Sequence, residues 1–145
     1  VTPPRKLLGL TLHRPWPILI AKGIKRIENR TWSPEPRLQV GEWFAVHAGK
    51  KYDERCSPMA QRLGVDMEVF FDKKLGAEGC IVAVARYAGC VTESTDPWFF
   101  GPVGWLLPEV VALEPIPCKG AQGLWYVPDA TADLCRAAYG KARAA

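Results

Sequence analysis

The run Cys80-Ile81-Val82-Ala83-Val84-Ala85 constrains this chain more than any other stretch. Consecutive small and β-branched apolar residues, closed by charge and glycine, read as the strongest strand of the chain. The strand is expected over 77–87 and is expected to continue past Gly89 to Val91, with Gly89 at a bend or bulge. Residues 42–48 add a second strand. Trp43, Ala45 and His47 face one way and Phe44, Val46 and Ala48 the other, so both faces are largely apolar and suit the centre of a barrel. Residues 7–12, 103–107 and 124–127 are further short apolar runs, and 110–113 is expected to continue the 103–107 strand after Pro108. Pro34 and Pro36 make 33–41 a loop, which carries Arg37 and is placed to cover a site. Gly49-Lys50-Lys51 reads as a basic turn, and Pro115 and Pro117 as breaks.

Helices occupy the remaining segments. Pro15 opens one over 16–22, because its missing N–H is no loss at a first turn, and Gly23 stops it. Asp53 can cap a second helix to about residue 63, with Met59 and Leu63 as its apolar stripe and Gly64 as its stop. Residues 65–75 read as a short helix or an irregular insertion. A last helix runs over about 129–143 with Leu134 and Ala138 on its packing face. The expected class is α+β: a small mixed β-barrel of five to six strands flanked by short helices. One domain spans 1–145, with a loose basic tail over 1–6 and a peripheral C-terminal helix.

Between the first helix and the first loop lies Gly23-Ile24-Lys25-Arg26-Ile27-Glu28-Asn29-Arg30. If 26–32 is a strand, Ile27 points one way while Arg26, Glu28 and Arg30 share the other face, with Lys25 at the turn. Such a face can bind an anion or a polar ligand, Glu28 orienting the cations beside it. Pattern alone also fits a solvated ion-pair row of little energetic worth. The charge distribution leans toward a site. Residues 1–55 hold 11 Lys/Arg against 5 Asp/Glu, a net of +6, whereas 56–145 hold 8 against 10, a net of −2. A one-sided positive field attracts phosphates.

The octapeptide resembles the GxKxxExR signature of the ASCH domain, a PUA-like β-barrel family. Flanking segments agree with it: Leu10-Thr11-Leu12-His13-Arg14-Pro15-Trp16, Trp43-Phe44-Ala45-Val46-His47-Ala48-Gly49, Gly104-Trp105-Leu106-Leu107 and Pro117-Cys118-Lys119-Gly120. The resemblance covers about residues 7–127. It implies a nucleic-acid-binding module, for RNA or another single strand, with a basic cleft beside the signature. Lys25 and Arg30 would contact phosphate or a base edge, with Glu28 between them, and Arg14 and Lys50 would extend the positive rim. Trp16, Trp32 or Trp98 would offer a stacking surface, Trp98 within the aromatic loop Pro97-Trp98-Phe99-Phe100-Gly101. That loop reads equally as a plug folded into the core. His47, at the end of its strand, reads first as a hydrogen-bonded structural residue and stands beside the cleft.

The resemblance also implies an alternative, a small enzyme on a nucleoside or RNA, of amidohydrolase or ribonuclease type. In the amidohydrolase relatives a Thr nucleophile stands three residues after the motif Lys, where this chain has Glu28. A carboxylate does not replace a hydroxyl nucleophile, so Glu28 would serve as general base and Lys25 would stabilise the developing charge. A modified nucleoside is then the candidate ligand.

Five cysteines, with no CxxC pair, offer neither a disulfide framework nor metal-ligand spacing. No cofactor or metal is expected, and free thiols fit a reducing cytoplasm. No apolar stretch is long enough to span a membrane and no signal-peptide pattern opens the sequence, so no membrane partner is expected either.

Overall fold

The computed structural model describes residues 6–145, so the tail expected over 1–6 lies, apart from Lys6, outside the described residues. The elements run β1 (Leu8–Arg14), α1 (Trp16–Ala21), β2 (Ile27–Arg30), β3 (Trp43–Tyr52), α2 (Cys56–Arg62), a 3-10 helix (Met67–Phe71), β4 (Cys80–Arg86), β5 (Cys90–Val91), β6 (Val103–Leu106), β7 (Glu109–Pro117), β8 (Leu124–Tyr126) and α3 (Asp129–Ala144). The class is α+β. The strands form two sheets, one in the order β7-β4-β3-β1-β8 and one in the order β2-β6-β5. β1 and β3 pair in parallel, and every other pair is antiparallel.

This corrects the expected barrel of five to six strands. Among the described residues the eight strands leave two separate sheets and no closed barrel. The interruptions explain the difference. Gly89 takes φ +112, and the Ala88 N–H bonds to Leu106 O, so the chain leaves the large sheet after β4 and enters the small one as β5. Pro108 likewise separates β6 from β7, which lie in different sheets rather than forming one continued strand. β7 runs through Pro115 to Pro117 because it is an edge strand, where a missing N–H costs no ladder bond.

The basic turn expected at 49–51 is instead the second half of β3, which stays beside β1 with Arg14 opposite Tyr52. A side chain at Gly49 would meet Thr11 Cγ2 at 2.8 Å, so glycine lets the strand pass.

The two faces of β3 do alternate as the sequence implies. Phe44, Val46 and Ala48 enter a core between the sheets with Leu10, Tyr87 and Trp105. Ala45 enters a second core with Ile81, Trp125 and α3. The helix stripes are corrected in part, since Ala138 of α3 does pack against that second core as expected. α2 buries Cys56 and Ala60 and leaves Leu63 exposed, while α3 buries Ala132 and Cys135 and leaves Leu134 57% exposed. In both cases small side chains i,i+3 or i,i+4 apart let the helix lie close to its partner. The loop 33–41 does not cover the signature. It buries Leu38, and Arg37 donates from Nη1 to Leu124 O with its guanidinium over the Tyr126 ring.

A candidate ligand pocket at the signature strand

α1 ends as its sequence dictates. Gly23 adopts φ +71, and the N–H groups of Ile24 and Lys25 fold back onto Leu19 O. That turn drives Lys25 inward. Its ammonium donates to Ile27 O and lies 3.5 Å from Glu28 Oε1 and 5.5 Å from the centre of the Trp16 ring. Arg30 Nε donates to the other carboxylate oxygen, Glu28 Oε2, at 2.9 Å. Side-chain exposures of 4% for Lys25, 10% for Glu28 and 25% for Arg30 make this a largely buried ionic cluster, not a solvated row. Burial pushes the Lys25 ammonium below its ordinary pKa, and the Glu28 carboxylate opposes that shift. Arg26 does not join them. β2 begins only at Ile27, and Arg26 points outward, donating to Gly23 O and Pro108 O.

These three side chains line a pocket of about 290 Å³ with Thr11, Leu12, His13, Trp16, Asn29, Asp53, Arg55 and Phe100. Trp16 is held by its indole N–H, which donates to Asp53 Oδ2 at 2.9 Å. Arg55 grips the same carboxylate through Nε and Nη2, and its hydrogen bonds hold the Asp53 carboxyl well below the usual range. Asn29 carries the opposite wall. Its Nδ2 donates to Trp98 O, and its Oδ1 accepts from the N–H groups of Phe100 and Gly101.

Several expected site residues sit elsewhere. Trp98 is only 6% exposed and packs edge-on against Trp16, so it is the core plug, and the 46% exposed Phe100 faces the pocket instead. Trp32 packs edge-on against Trp105 and accepts that residue's indole N–H on its carbonyl oxygen. Arg14 turns from the pocket to Gly49 O, Lys50 O and Glu78.

Lys50 and His47 line a second groove of about 600 Å³, which shares Thr11, His13 and Arg30 with the pocket. His47 has both ring nitrogens engaged. Cys118 O can only accept, so the imidazole Nε2 carries the proton and donates to it at 2.6 Å. The Trp125 indole N–H donates to Thr11 Oγ1, and Thr11 in turn donates to His47 Nδ1 at 3.1 Å. The ring is therefore a neutral structural link, and burial lowers its pKa below the ordinary 6.5.

Sequence reasoning missed Asn29, Phe100, His13, Asp53 and Arg55 as pocket residues. Asn29 lies inside the octapeptide and Phe100 inside the aromatic loop; the sequence pattern marks Asp53 only as a helix cap, and α2 starts three residues later, at Cys56. Among the described residues no group of three or more His, Cys, Asp or Glu could hold a metal ion. No helix among them is long and apolar enough to cross a membrane.

No family model matches the chain. Over 86 residues, 58% of its length, it is 29% identical to human activating signal cointegrator 1, and it spans only 14% of that relative. Crystal structures of an ASCH protein from Zymomonas mobilis share its fold. A serine-to-alanine mutant superposes with a TM-score of 0.56 at 14% identity, covering 94% of this chain and 98% of that one. A tyrosine-to-phenylalanine mutant also gives 0.56 at 14% identity, over 92% and 98% of the two chains. These likenesses support an ASCH domain, the family that the octapeptide resembles. At 14% identity the solved structures speak for the fold alone.

Proposed function

We propose that this chain is a nucleic-acid-binding module for RNA, which takes one base or nucleotide into the pocket beside the signature. One observation carries the reading: Lys25, Glu28 and Arg30 form a fixed donor and acceptor array in a pocket that Trp16 and Phe100 also line. Fixed polar groups match a base edge, and the rings offer stacking of about 1–3 kcal/mol per base. Glu28 serves here as the clamp that aims Lys25 and Arg30. A single ASCH domain over 1–145, working in the cytoplasm with its five cysteines free, belongs to the same reading.

The test is Phe100→Ala, because that ring is exposed and its loss leaves the buried cluster untouched. Affinity for single-stranded RNA, followed by tryptophan fluorescence, is expected to fall about tenfold. Wild-type affinity in the variant would overturn the reading.

One observation favours the second reading, a hydrolase with Lys25 and Glu28 as its catalytic pair: burial lowers the Lys25 pKa, which readies an amine for proton transfer. Both Glu28 oxygens already hold cations, which suits a clamp better than a general base. Turnover of RNA or of an acetylated nucleoside, lost in Lys25→Met, would replace the binding reading with this one.

A further inference from the structure

We propose that the groove beyond Arg30 is a second subsite, for the phosphodiester backbone of a single strand, so that the ligand is a polynucleotide rather than a free nucleoside. The inference rests on the base-pocket reading above and extends it. The groove and the pocket meet at Arg30, which lines both. Its Nε is committed to Glu28, while Nη2 reaches Thr11 O only at 3.5 Å, leaving guanidinium N–H groups for a ligand at the junction.

The two cavities differ in chemistry. The pocket holds two carboxylates, Glu28 and Asp53, among its cations. No Asp or Glu lines the groove, which has Lys50, Lys51 and Lys119 along it, all exposed. Among the described residues none of these three ammonium groups has an ion-pair partner. A base edge needs matched donors and acceptors, whereas phosphates need positive charge and room to approach. Mixed charge in the pocket and uniform positive charge in the groove fit that division.

Glycine supplies the room. A side chain at Gly120 would come within 2.7 Å of the His47 ring, so only glycine lets the chain that carries Lys119 close down over Thr11 and His47. His47 is sealed beneath as a positioning residue, its Nε2–H holding the Cys118 carbonyl next to Lys119.

The test uses the full chain and a triple variant, Lys50→Ala, Lys51→Ala and Lys119→Ala. The probes are a ribonucleotide hexamer, the deoxyribonucleotide hexamer of the same sequence and a 5′-mononucleotide. Circular dichroism checks the fold, which these exposed side chains do not support. Binding is measured between about 50 and 300 mM salt. Three lost phosphate contacts at about 0.7 each lower the slope of log affinity on log salt by about 2. In the triple variant both hexamers are expected to bind more than tenfold more weakly at the lowest salt with that smaller slope, and the mononucleotide is expected to bind as it does to wild type.

Wild-type hexamer affinity and slope in the variant would overturn the groove subsite. A loss confined to the RNA hexamer would do so as well, by moving the contacts to the 2′-hydroxyl. Failure of the pocket reading looks different: Phe100→Ala would then bind the hexamer as wild type does, while the triple variant still would not.

Discussion

Glu28 has two carboxylate oxygens and spends one on each neighbouring cation, Oε1 on Lys25 and Oε2 on Arg30. A carboxylate this buried is tolerable only because both cations lie against it, and the buried Lys25 needs it in return. Glu28→Gln keeps the shape and removes the charge. We expect it to destabilise the protein by about 3 kcal/mol, the range for breaking one partner of a buried pair, as read from the urea midpoint. Depriving Lys25 of its counter-charge also pushes an already lowered pKa further down. A midpoint equal to that of wild type would mean that the cluster is hydrated, as the simpler sequence reading has it. At this scale the octapeptide was legible in its spacing but not in its directions. Lys25, placed by the sequence at a turn, is the buried cation, and Arg26, placed on the ligand face, points outward. A single residue of offset between the end of α1 and the start of β2 decides that.

At the scale of elements, the pocket depends on how the 97–101 segment is fastened to β2. Asn29 does this with three hydrogen bonds, one donated to Trp98 O and two accepted from the N–H groups of Phe100 and Gly101. Asn29→Ala strands those backbone groups, at a cost of about 1–3 kcal/mol. Amide exchange at Phe100 and Gly101 is expected to accelerate in this variant, with the β4 amides unaffected. Asn29→Asp is expected to fall between, because its carboxylate still accepts both N–H bonds but faces the Trp98 carbonyl with no donor. Equal exchange in all three proteins would show that Trp98, packed against Trp16, holds the segment alone. The same fastening explains why the aromatic loop could not be resolved from sequence into plug or platform. It is both, Trp98 inward and Phe100 toward the pocket, and the choice is made by a partner some 70 residues away.

For the whole molecule, buried titratable groups set the pH range of stability. His47 is held neutral below its ordinary pKa of 6.5, so the unfolded chain takes up a proton that the native chain refuses. Its contribution is present above 6.5 and is lost as pH falls from there toward the lower folded value. Burial pushes the Cys56 thiol up to about 12 and Cys135 up to about 11, against an ordinary 9.0. Both contributions are present below 9.0 and are lost as pH rises through the folded values, by up to about 1.4 kcal/mol per pH unit per thiol. The lowered Lys25 acts in the opposite sense, so its part must be separated. Chemical denaturation from pH 5 to 10.5 is expected to show decline at both ends, with a shallower alkaline slope in Cys56→Ala; an unchanged slope would assign the alkaline loss to other groups.

By itself the sequence determined what depends on near neighbours: the short helix stopped by Gly23, the two apolar faces of β3, the Cys80–Ala85 strand and the charged octapeptide. Only the tertiary structure decided which sheet each strand joins, that the sheets do not close into a barrel, and which side chains meet at the pocket. Those outcomes rest on contacts such as Arg14 with Glu78, Asn29 with Phe100 and Thr11 with His47. Periodicity records the face a residue occupies on its own element. It carries no record of the distant partner whose hydrogen bond turns the side chain inward or out.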